Sequence, residues 1–551
     1  MPFIYNVPFI SILLLLIIAM LTPFIRKWGK VACTFNLAAV IFTGAINAAL
    51  LVNLVSNDTS FTYMMGHFPA PFGNELKAGP YEALIATVFC FVMALSIIGG
   101  LRNVFEDVKP KKQYLYFIML DLLLCSLLAL TYTNDMFTAY VFIEINTIAS
   151  CAIVMAKDSG KTIVATTRYM IMSAIGSGLF LLGISMIYGF TGHLLMEPLG
   201  ESIRALWATG QYTIPLVTSI GLVAVAIAIK AALYPFHSWL PSAHASATST
   251  SSSILSGLVL KGYIVLLIKS VYRVFTPEVM QETHMADVLL VLGVLGMMMG
   301  SINALRERHL KRMAAYSSVA QIGYIFMGIG INSELGIIAA TLHIISHALT
   351  KPMLFLSATG LANVSGHSYD FKKLKGAAHK NKLAGIAFTI GGLSMIGIPL
   401  FAGFVSKLYF SVGAIESDWF RLPVVLIALA ISTALNAVYY LGAVINIWRL
   451  PEDHHEGHHG YSEEVPYIST PVKHADLTGY TLDAKYEHEV VETKTAEELA
   501  LEEEEHAHHN ENDKNSAGFV IAMVIFIASN FGFGIFYEPI VRIIRMGIEL
   551  L

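Results

Sequence analysis

Four lysines stand where lysine is expensive. Lys230, Lys261, Lys351 and Lys407 fall inside apolar runs, such as GLVAVAIAIK ending at Lys230 and SSILSGLVLKGYIVLLI around Lys261. A lysine at mid-membrane costs about 2.5–3.5 kcal/mol on insertion scales. Snorkelling to an interface, or static pairing with a carboxylate, is the structural reading. It suits Lys351, near a helix break, better than Lys230 and Lys261, whose flanks are apolar. The functional reading is that each gives up and retakes a proton, because desolvation disfavours the charged form. Glu144, in AYVFIEINTIAS, is the buried carboxylate placed to pair with one of them, and pairing offsets much of the desolvation cost. His343 and His347, in TLHIISHALTKPMLF, fall at i and i+4 on one helix face, with Lys351 a turn further on. That pair suits a proton relay, since histidine ordinarily titrates near pH 6.5. Zinc would need a third ligand, which the segment lacks. Asp121 and His237 are further candidates, and a helix contact suits Asp121 equally well.

The elements that must hold these groups are helices in lipid. The chain has 551 residues, 55% hydrophobic and 13% charged, with a mean hydropathy of +0.64. A soluble domain carries about 25% charged residues, and one core cannot absorb the difference, because cores stop growing near roughly 300 residues. Fourteen apolar segments reach the length needed to cross a hydrocarbon layer of roughly 30 Å: 8–25, 32–54, 81–101, 113–132, 136–155, 166–189, 214–236, 253–274, 286–303, 313–331, 335–363, 382–410, 422–446 and 517–537. The first lacks a basic leader and a cleavage site, so it reads as a retained helix. Loops after odd-numbered helices hold 20 Lys/Arg, and those after even-numbered helices, with the C-terminus, hold 7, Lys269, Arg273 and Arg421 among them. The bias puts both termini outside a prokaryotic cytoplasmic (inner) membrane.

Helices seven and twelve are interrupted by Pro235 and Pro241, and by Gly397, Pro399 and Gly403. Irregular backbone at membrane depth needs protein or a wet cavity around it. The five-helix spacing of the two breaks predicts inverted repeats, 113–274 (helices four to eight) and 286–446 (nine to thirteen). Helices one to three occupy 1–112, and helix fourteen lies in 517–551. The stretch 451–515 differs in kind: 18 Asp/Glu and nine histidines against four lysines predict a disordered cytoplasmic insert. Its His454, His455, His458, His459, His506, His508 and His509 offer weak metal ligands. The four cysteines are scattered in apolar runs and read as packing residues. No phosphate loop or nucleophile arrangement stands out, so no cofactor is expected on this chain, and no nucleic acid as partner.

The motifs together resemble the antiporter-like subunits shared by respiratory complex I (NADH-quinone oxidoreductase), membrane-bound hydrogenases and Mrp-type Na+/H+ antiporters. They are TNDMFTAYVFIEI, IKAALYPFHSWLPSAH, LSGLVLKGYIVLL, LKRMAAYSSVAQIGY, LHIISHALTKPMLFL and GIPLFAGFVSK. The resemblance implies an all-α polytopic membrane fold of fourteen helices with the two inverted units. It implies a Glu144–Lys230 pair, Lys261 as bridge, His343, His347 and Lys351 as relay, and Lys407 as exit. It also implies other membrane subunits as partners, further antiporter-like ones included, with iron–sulfur clusters on partner subunits. Three features depart from the family pattern: Pro352 directly after Lys351, the acidic insert, and the lack of a long lateral helix after helix fourteen. The expected function is proton or sodium translocation within a redox-driven complex. The alternatives are a redox-free Mrp-type antiporter subunit and a metal-binding membrane protein acting through the insert.

Overall fold

The computed structural model describes residues 3–25, 29–68, 73–450 and 515–551. The seven histidines of the acidic insert lie outside them. Among the described residues, twelve helices are long and apolar enough to cross a membrane, from Phe3–Ile25 to Ala517–Ile535. Two more segments complete fourteen spans. Leu310–Gly330 is long enough but opens with Lys311 and Arg312, and the twelfth span is split into Lys382–Ile396 and Ala402–Ile415. The chain is a multi-pass membrane protein.

Spans eight (Ser249–Phe275) and eleven (Glu334–Asn363) are enclosed along their whole apolar windows, so each forms the axis of its half of the bundle. Spans nine (Met285–Arg306) and ten pack through small residues. A Cβ added to Gly300 would lie 2.5 Å from the Ala320 nitrogen, a backbone approach that only glycine permits.

Both expected breaks are present, and both close their own hydrogen bonds. Span seven stops at Lys230 (Thr213–Lys230) and resumes as Trp239–Ser246; the Trp239 indole donates to the Ile229 carbonyl at 3.3 Å. Span twelve stops at Ile396, where Gly397 takes φ +91, a left-handed turn that favours glycine. The Lys407 ammonium donates to the Ile396 carbonyl at 2.7 Å. Each break thus puts a lysine at the negative end of a half-helix.

Loops of the same parity meet. Lys109 and Lys112 pair with Asp158 at 3.0 and 2.9 Å, and His309 bridges to Asp370. On the other face, Tyr5 packs on Phe61 and Lys77 pairs with Glu197 at 2.6 Å. The antiparallel ribbon Phe61–Met64/Glu75–Ala78 and the amphipathic helix Glu538–Glu549 belong to this second face.

Candidate functional site: a line of buried lysines and histidines

In the first unit, Lys230 is 2% exposed and its ammonium donates to the Thr147 hydroxyl at 2.6 Å. Glu144 lies one turn before Thr147 on span five, its Oε1 3.9 Å from Lys230 Nζ. The expectation of a buried carboxylate holds for one oxygen only: the Glu144 side chain is 34% exposed. Its position on the outward flank of span five (Met136–Lys157) leaves one oxygen buried without a hydrogen bond and the rest facing outward. Tyr263, on span eight, donates to Asn146 Oδ1 at 2.9 Å and presents its ring 5.9 Å from Lys230 Nζ.

At the junction, Lys261 is wholly buried and donates to the Ser256 carbonyl. The Ser256 and Ser318 hydroxyls lie 2.8 Å apart, joining span eight to span ten. Ser256 belongs to the π-helical turn Leu255–Val259, a local widening often found at functional sites. Pro352 faces that turn. Span eleven runs through Pro352 without a break, and Gly257 lets span eight pack against its ring: a Cβ there would lie 2.7 Å from Pro352 Cγ.

In the second unit, Lys351 donates to the Ala314 carbonyl (2.8 Å), Ser317 Oγ (2.9 Å) and Tyr440 OH (3.2 Å). Snorkelling is therefore excluded for it. His343 Nδ1 and Ser406 Oγ are 2.8 Å apart, and Ser406 directly precedes Lys407. Lys407 also donates to Thr433 Oγ1 at 3.0 Å, and its ammonium lies 5.0 Å from the Tyr324 ring, which stacks on His343. Both nitrogens of His347 are buried without a hydrogen-bond partner. The His343 ring lies 6.2 Å away, centroid to centroid. Buried polar atoms are normally satisfied by protein or water, which sets His347 apart from the hydrogen-bonded lysines beside it.

Two candidates stand apart from this line. Asp121 accepts from Asn36 Nδ2 at 2.6 Å, between spans two and four, with no ion-pair partner among the described residues. His237 sits in the break of span seven, beside Tyr234 and Tyr316.

Sequence reasoning overlooked several buried groups. His244 is enclosed, stacked on Phe355 at 4.5 Å, with both nitrogens unpartnered. Lys311, counted among loop cations, is buried and donates to the Ala247 carbonyl at 3.2 Å. Lys269, Arg273 and Arg421, counted likewise, are buried too. Lys269 and Arg273 fall at the end of the apolar segment 253–274, where position alone does not separate a buried cation from one at the headgroups.

A fourteen-span bundle with a line of buried lysines and histidines through it, and two spans broken beside lysines, defines an antiporter-like membrane subunit. The chain belongs to the NADH:quinone oxidoreductase/Mrp antiporter transmembrane family, whose sequence pattern matches residues 133–433. It is 31% identical over 443 residues to NADH-quinone oxidoreductase subunit N of Desulforudis audaxviator, covering 80% of this chain and 84% of that one. It is 26% identical over 431 residues to a Na(+)/H(+) antiporter subunit of Alkalihalophilus pseudofirmus, covering 77% and 85%. Its fold matches a chain of the archaeal membrane-bound sulfane sulfur reductase, a respiratory membrane complex, with TM-score 0.78 and 23% identity over 99% of this chain and 97% of that one. It also matches a chain of the Mrp complex from Dietzia sp. DQ12-45-1b, with TM-score 0.79 and 20% identity over 100% and 97%.

Proposed function

We propose that the chain is the proton-translocating, or sodium-translocating, subunit of a redox-driven membrane complex related to complex I or membrane-bound hydrogenase. The observation that carries this reading is the run of enclosed, protonatable groups from Lys230 through Lys261, His347 and His343 to Lys407, all but His347 held by neutral oxygens. Such holding leaves each lysine free to lose its proton without stranding a buried carboxylate. Glu144 pairs loosely with Lys230 and sets its charge from outside the line.

The outward face of Glu144 supports membrane partners. A carboxylate at mid-span facing lipid is costly, so a neighbouring subunit covers it. In this reading the chain sits in the cytoplasmic membrane of a prokaryote, with residues 3–6 and 538–551 on the outer face. Iron–sulfur clusters, where present, belong to partner subunits.

The second reading, an Mrp-type Na+/H+ antiporter subunit without redox chemistry, draws on the Alkalihalophilus pseudofirmus relative and the Mrp fold match. The same relay serves either machine. Tagging the chain in its native membrane and identifying the proteins that co-purify separates them. Redox subunits support the first reading, and antiporter subunits alone overturn it.

A further inference from the structure

A second set of buried charges climbs from the interior to the face that bears the even-numbered loops. Its inner member is Lys269, eight residues beyond Lys261 on span eight, which is about 12 Å along a helix. Lys269 is wholly buried. It donates to the carbonyls of Thr131 (2.7 Å) and Thr133 (2.5 Å), at the end of span four. No carboxylate lies within ion-pair distance of it among the described residues. One turn on is Arg273, paired with Glu82 at 2.6 Å, both side chains 1% exposed. Arg273 Nη1 remains buried without a hydrogen-bond partner. Arg273 Nε and Lys77 Nζ both donate to the Leu551 carbonyl, at 3.0 and 3.4 Å. Lys77 in turn pairs with Glu197, whose side chain is 52% exposed. Exposure therefore rises stepwise from Lys269, through Arg273 and Glu82, to Lys77 and Glu197.

The groups facing Lys269 favour a carrier over a strut. Arg273 keeps its charge permanently, so of these two neighbouring cations Lys269 is the one able to exchange a proton. The terminal carbonyls of span four hold the ammonium in place when it is charged. The unsatisfied Arg273 nitrogen calls for water beside the pair.

We propose that Lys269, the Glu82–Arg273 pair and the Lys77–Glu197 pair form a proton-release column from the first five-helix unit to the outer face. The inference rests on the ion-translocating reading above. In the step, a Lys269 Nζ–H bond breaks and an O–H bond forms on a water beside Arg273. The hydronium proton leaves past Lys77, and neutral Lys269 retakes a proton delivered from the Lys261 side. The residues near Gly547, packed on Tyr81, and the Leu551 carbonyl cover the column between events.

The test is acidification of the lumen by the intact complex in inside-out vesicles, read with a pH dye, for wild type, Lys230→Met, Lys269→Arg and Lys77→Met. Arginine at 269 keeps the charge but cannot release it. The column predicts loss of acidification in Lys269→Arg and a several-fold slowing in Lys77→Met, which sits at the rim and leaves the core intact. Wild-type rates in Lys269→Arg, with Lys230→Met inactive, overturn the column while sparing the general reading. Full activity in Lys230→Met overturns the reading itself. If Lys269→Arg does not assemble, Lys77→Met decides: an unchanged rate overturns the column. Sodium accumulation without acidification in the wild type also overturns it.

Discussion

Lys230→Met separates the structural worth of a buried lysine from its chemical one. The substitution keeps the length of the side chain and removes the ammonium. Thr147 loses a donor but keeps its own bond to the Ile143 carbonyl at 2.9 Å, so no hydroxyl is orphaned. Glu144 loses its partner at 3.9 Å, and its 34% exposed face is left to the groups of the subunit that covers it. The lost charge-assisted hydrogen bond is worth about 1.5–3 kcal/mol. Against it stands the relief of no longer burying an ammonium, which offsets much of that loss where the carboxylate left behind is not wholly enclosed. The complex is therefore expected to assemble at wild-type yield, while lumen acidification by reconstituted vesicles falls to the leak of empty ones. Lys230→Arg is expected to fail in the same way, since guanidinium holds its proton at any working pH. Wild-type acidification by either variant refutes the proton-carrier role, and loss of assembly by Lys230→Met refutes the energetic reasoning.

Three further outcomes follow. Lys407→Glu is expected to retain partial pumping, because a carboxylate also carries a proton, and to lose about 1–3 kcal/mol with the bond to the Ile396 carbonyl; failure to assemble would make Lys407 a structural cap. Gly300→Leu drives a side chain into the span ten backbone at Ala320; a loss of about 1–3 kcal/mol or more is expected in thermal melts of the detergent-solubilised protein, and an unchanged melt contradicts the close approach. His309, half-buried at the start of span ten, is pushed down to about 4 by burial and by the charges of Lys311 and Arg312. The unfolded chain binds its proton near pH 6.5, so stability falls as pH drops from about 6.5 to about 4. His309→Gln should flatten that slope, and an unchanged slope would place the titration elsewhere.

The fourteen crossings were legible because lipid demands a fixed length of apolar residues, and proline and glycine marked both breaks. The four mid-segment lysines were legible as exceptions to that rule. Three things were not. Which flank of span five Glu144 occupies depends on packing against other spans, and its hydrophobic neighbours look alike whether they face protein or lipid. Lys269 and Arg273 lie near the end of span eight, where a cation ordinarily reaches the headgroups; the end of span four holds the first and Leu551 meets the second, both distant in sequence. Pro352 reads as a helix breaker. Span eleven nonetheless passes through it, and the turn at Gly257, nearly a hundred positions earlier, packs against its ring.

The claim beneath all of this is that buried lysines change protonation during turnover, and infrared difference spectroscopy reports it directly. The purified complex, with its lysines labelled with nitrogen-15, would be compared at rest and in steady turnover. Ammonium bands that shift with the label, and that diminish in Lys230→Arg, Lys261→Arg and Lys407→Arg, are the expected result. Active pumping with no lysine ammonium band changing between rest and turnover would contradict it.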